Sequence, residues 1–103
     1  MSEPISEQFR ITAKEWCEAD AAASLLEETK SSVLSQMMLA QGDIAVNKAE
    51  MNVKASSAWV EHIVKMVDAR RQANLLKVKR EWLLMRHREW IAADANNRAE
   101  MRL

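Results

Sequence analysis

Apolar and polar positions alternate with a helical period along almost the whole chain. From Trp16 onward, Trp16, Ala19, Ala23, Leu26, Val33, Met37 and Ala40 fall on one heptad seam, broken once by Lys30. Farther on there are two seams. One is Val60, Val64, Val67, Leu75, Val78, Trp82 and Met85, stepping by three and four except where Arg71 intervenes. The other is Trp59, Met66, Ala69, Ala73, Leu76, Leu83 and Trp90. Their centres lie well over ~100° apart on a helical wheel, wider than one apolar stripe. A helix with two such faces is packed between two neighbours.

Chain punctuation sets the predicted elements. Thr12 and Glu15 form a T-x-x-E capping box, with Ile11 and Trp16 at the staple positions, so helix 1 is predicted over about 13–41 behind a flexible polar tail, 1–12. Gly42 suits the left-handed residue that ends it. For helix 2 two starts compete: Asp43, and Asn47 with Glu50 in an N-x-x-E box. The second is preferred, leaving a loop at about 42–46. No glycine or proline follows Gly42, so helix 2 is predicted to run unbroken over about 47–99. At ~1.5 Å per residue it would measure ~80 Å against ~43 Å for helix 1. The stretch 77–100 would overhang, carrying Val78, Trp82, Leu83, Leu84, Met85, Trp90 and Ile91, and exposed apolar surface of that kind marks an interface. The predicted fold is all-α: an antiparallel helical hairpin, one domain over 13–103, dimerising into a four-helix bundle or an elongated coiled coil. A hairpin this thin has a poor surface-to-volume ratio and gains from an oligomer.

Composition agrees. One glycine, one proline and no tyrosine in 103 residues disfavour sheet folds. No apolar run approaches the ~18 residues of a membrane span. The start, MSEPISEQFR, lacks the pattern of a signal peptide, and the single Cys17 has no intramolecular partner, so a cytoplasmic location is expected. Net charge is zero but divided: residues 1–53 hold four basic and nine acidic groups, residues 54–103 eleven and six. Two chains packed head to tail would complement each other, and the basic half could equally meet an anionic partner.

Little points to catalysis. His62 and His87 are too far apart on one helix to share an ion, Cys17 has no nearby histidine and reads as a small core or boundary residue, and no phosphate-cradling loop is present. His62 is expected against a packed seam and His87 near the surface. No enzyme, metal, cofactor or small-molecule substrate is expected. The best binding candidate is the stretch 70–90. Trp82, Arg86 and Trp90 lie four apart and would form an adhesive strip for another protein, with Arg70, Arg71 and Arg80 as polar partners. The same stretch, through Arg70, Arg71, Lys77, Lys79, Arg80, Arg86 and Arg88 with interleaved tryptophans, has the composition of a single-stranded nucleic-acid contact. Against that, the charges scatter around the wheel and both tryptophans fall on apolar seams. Most of the seven methionines read as core filler.

The runs Ala69-Arg70-Arg71-Gln72-Ala73-Asn74, Lys77-Val78-Lys79-Arg80-Glu81-Trp82 and Glu89-Trp90, and the ending Ala95-Asn96-Asn97-Arg98-Ala99-Glu100, resemble small helical proteins of tailed phages and prophages. The resemblance covers about residues 48–103. Such proteins often accompany genes of recombination and single-strand annealing. The resemblance implies a non-enzymatic accessory that docks on a larger host or phage protein of DNA recombination, or an inhibitor of a host-defence complex, acting in the host cytoplasm. A structural role in a virion or its assembly is a third reading. No catalytic residues come with it.

Overall fold

A computed structural model describes residues 4–101. Among these residues the chain is all-helical, with α1 at Ile5–Glu28, α2 at Lys30–Leu39, α3 at Val46–Lys54 and α4 at Ser57–Met101. The molecule is a rod of 83 × 24 × 17 Å. α1 runs antiparallel along α4, and α2 packs against α3 at the closed end.

Helix 1 starts eight residues earlier than the capping box suggested. Pro4 precedes the first turn, and its carbonyl accepts the N–H groups of Glu7 and Gln8, both at 3.0 Å. Proline suits such a start because its fixed φ is compatible with helix entry and the N–H it lacks would have had no partner there. Thr12 lies inside α1, buried against α4. Of the tail predicted over 1–12, residues 5–12 are therefore helix, and 1–3 fall outside the described residues.

Both long rods are interrupted at hydroxyl side chains. At Thr29, Oγ1 donates to the Leu25 carbonyl at 2.7 Å, a back-bond that bends helices and divides α1 from α2. At Ser56, the hydroxyl donates to the Val53 carbonyl at 2.5 Å and accepts the Trp59 N–H at 3.3 Å. That second bond is an N-cap, so the helix predicted over 47–99 ends at Lys54 and restarts at Ser57. Neither the Asn47 box nor Asp43 opens α3, which begins at Val46 after Ala45.

Gly42 has φ +90°, the left-handed turn predicted for it, and its N–H reaches the Leu39 carbonyl at 3.2 Å. The core is a single line along the hairpin: Ala23 from α1, Ala49 and Val53 from α3, and Trp59, Ala73 and Leu83 from α4 are buried. Fully burying a side chain such as Leu83 contributes about 1.5–3 kcal/mol.

Candidate interaction face on α4

α4 divides its two predicted seams between the hairpin and solvent. From the second seam, Trp59, Ala73 and Leu83 are buried and Met66, Ala69 and Leu76 half-buried; these face α1 and the closed end. Only Trp90 of that seam is exposed. The first seam is uncovered throughout. Val60, Val64, Val67, Leu75, Val78, Trp82 and Met85 each show 51–62 % of their surface to solvent. The stripe steps along the helix at ~3.6 residues per turn, so it runs nearly straight down one side of the rod for ~38 Å. A broad hollow of about 430 Å³ sits at its middle, lined by Val67, Arg70, Arg71, Asn74, Leu75 and Val78.

The uncovered surface is thus a face and much less an overhang. Because α1 begins at Ile5, it reaches the level of His87 and Trp90; Pro4, Ile5, Ser6, His87 and Trp90 together line a hollow of about 260 Å³. The predicted overhang of 77–100 shrinks to roughly the last three turns of α4. Ile91 and Met101 are exposed there, and an Arg98–Asp94 ion pair spans one turn.

The basic residues of 70–90 are distributed between intramolecular contacts and solvent. Arg70 bridges the hairpin: it donates to Asp20 at 2.6 Å, to Glu27 at 2.7 and 2.9 Å and to the Ser24 hydroxyl at 3.2 Å. Its hydrogen bonds and charge hold the Glu27 carboxyl below its ordinary value, and the two carboxylates raise the pKa of Arg70 in return. The Arg80 guanidinium lies over the Trp16 ring, 4.1 Å from its centre. Arg70 and Arg80 are therefore turned onto α1. Arg71 pairs with Asp68 at 2.9 Å. Arg86 approaches Glu89 at 3.7 Å and lies 5.8 Å from the centre of the Trp82 ring. Lys77, Lys79 and Arg88 are exposed, with Lys79 on the opposite flank of the seam from the other two. The seven cations form no single basic stripe.

Trp90 turns away from the Trp82–Arg86 pair and stacks on His87, with ring centres 6.3 Å apart and planes 13° apart. The ring centres of His62 and Trp59 are 5.9 Å apart, and the His62 Nε2 is shut from solvent with no hydrogen-bond partner among the described residues. His87 is also half-buried. Cys17, expected in the core or at its boundary, is exposed. Among the described residues no group of three or more His, Cys, Asp or Glu side chains is placed to hold a metal ion, and no helix is long and apolar enough to cross a membrane.

Sequence reasoning marked the seam residues but could not say which seam α1 would take. Ala23, Ala69 and Ala73 carried that information, since small side chains let two helices approach closely. Compared with protein-family models, with curated proteins and with solved structures, the chain matches none.

Proposed function

We propose that this chain is a non-enzymatic interaction protein that works by pairing the uncovered face of α4 with another helical surface, in the first instance with a second copy of itself. One observation carries the reading: seven large apolar side chains in helical register, from Val60 to Met85, face solvent on one side of a well-packed hairpin. Water disfavours that arrangement, and contiguous exposed apolar stripes mark interaction sites. Seven half-exposed side chains from each of two copies supply on the order of 1,000 Å² of buried surface, the scale a specific interface requires. The uncovered seam lies opposite the α1-facing seam, so pairing through it gives a flat row of four helices with the two α4 helices innermost. This favours the elongated assembly over a closed bundle.

Docking on a larger protein of DNA recombination or host defence is the role implied by the resemblance of residues 48–103 to phage proteins, and that resemblance alone supports it. Within this reading Trp90, Ile91 and the end of α4 stay outside the self-pairing face and serve the second partner. Arg71 and Arg86 are oriented outward, whereas Arg70 and Arg80 serve the hairpin. Direct nucleic-acid binding gains no support from the geometry, because the cations share no stripe.

Sedimentation equilibrium at micromolar concentration tests the reading. A dimer is expected, with V67E/V78E remaining helical but monomeric. A wild-type chain that stays monomeric throughout would overturn it. Titration with single-stranded DNA at two salt concentrations is expected to show no salt-sensitive binding.

A further inference from the structure

The uncovered seam of α4 reads nearly the same in both directions, and we infer that it pairs with the α4 of a second copy in antiparallel orientation, about a two-fold axis beside residues 72–74. This rests on the self-association proposed above and fixes what that proposal leaves open: direction and register.

Three observations carry it. The first is position. About a point between residues 72 and 73, Val60 mirrors Met85, Val64 mirrors Trp82, Val67 mirrors Val78 and Arg71 mirrors Leu75, each within one residue. A two-fold interface requires this self-complementarity, in which residue i meets j and j meets i. The second is size. Three valines occupy the first half of the stripe, while Trp82 and Met85 end the second. Reversal sets Val64 against the partner's Trp82 and Val60 against the partner's Met85. A parallel pair would set Trp82 on Trp82 and leave the valines facing each other across a gap. The hollow between Val67 and Val78 lies on the axis, open to the partner's Leu75.

The third is charge. Along one flank of the seam the order is Glu61, Asp68, Lys79, Arg86. In an antiparallel helix pair like flanks meet. Glu61 then faces the partner's Arg86 and Asp68 the partner's Lys79, giving four complementary contacts per dimer and nearly the same centre as the apolar stripe. A parallel pair in register would set this flank against the opposite flank of the partner, so neither the Glu61–Arg86 nor the Asp68–Lys79 contact could form. Asp68 is shared with Arg71 of its own helix, and Lys79 also borders Gln8 and Glu15 of α1. Arg86 has only the longer approaches to Glu89 at 3.7 Å and to the Trp82 ring at 5.8 Å, so Glu61 and Arg86 are the cleaner pair to probe. They stand ~38 Å apart within one helix and do not meet inside a monomer.

The test is a charge-swap cycle read by sedimentation at low salt. E61R and R86E each weaken the dimer roughly tenfold, and E61R/R86E recovers wild-type affinity, because both pairs are then reversed together. A second measurement reads direction. In a C17S background, a nitroxide on A58C sits ~45 Å from its counterpart in the antiparallel dimer and within ~20 Å in a parallel one. A dimer with the short distance, or one whose single swaps are not rescued by the double, overturns the orientation and leaves self-association standing. A monomeric wild-type chain overturns both.

Discussion

The guanidinium of Arg80 lies over the indole of Trp16, 4.1 Å from the ring centre, and joins the middle of α4 to α1. A cation over an indole face is worth about 0.5–1 kcal/mol where it remains partly hydrated. Chemical denaturation of R80A, W16L and the double variant is expected to give a coupling energy of about that size. Additive single effects would show that the stacking contributes nothing.

Ala23 and Ala73 have no solvent exposure; Ala23 sits among the Arg70 partners Asp20, Ser24 and Glu27, and Ala73 between Arg70 and Arg80, in the contact of α1 with α4. A larger side chain there must push the helices apart. A73L is expected to destabilise by about 1–3 kcal/mol in thermal melts, although leucine is an excellent helix former. An unchanged midpoint would mean that the contact is loose.

Ser56 caps α4 through the Trp59 N–H while its own hydroxyl binds back to Val53. Replacing it by alanine removes the cap and should cost about 0.5–2 kcal/mol. Helix content by circular dichroism should stay the same or rise, since alanine permits α3 and α4 to join. A variant as stable as the wild type would contradict the capping role.

These hydroxyl sites show where the sequence could be read and where it could not. Gly42 was legible because φ +90° suits glycine and few other residues, so its identity nearly dictates its geometry. The two seams of α4 were legible because periodicity follows directly from helical geometry. Serine and threonine are ambiguous: each can cap a helix, bend it, or sit on its surface, and tertiary packing decides. Thr12 followed by Glu15 matched a start signal yet lies inside α1, while Ser56, with no acidic residue three positions on, is the side chain that caps. The interaction face was half legible. Its residues were visible, but which seam α1 occupies depends on the close approach around Ala73.

The Arg70 cluster gives the hairpin a sensitivity to acid. Glu27 is held below its ordinary value near 4.5, chiefly by its hydrogen bonds from Arg70. A carboxylate with a depressed folded pKa contributes stability above its unfolded value and loses it as pH falls through the folded value. Melts of the wild type and E27Q should therefore differ at neutral pH, with the variant less stable, and converge as the pH falls below the folded value. A difference that persists in acid would show that Glu27 acts through packing and not through charge.

Leu83 and Val78 are neighbours on α4 that face opposite ways, Leu83 at 2 % exposure and Val78 at 62 %. Truncating each separates the hairpin's own stability from that of the assembly. L83A empties a core position and should cost about 2–5 kcal/mol at any protein concentration. V78A touches only the uncovered seam, so in a dilute, monomeric sample it should change stability by less than ~0.5 kcal/mol. At higher concentration the wild-type midpoint should rise, because association stabilises the folded state by mass action, and V78A should lag increasingly behind it. Melting curves across a hundredfold concentration range decide the matter: midpoints independent of concentration for both proteins would mean that the α4 face meets no second copy.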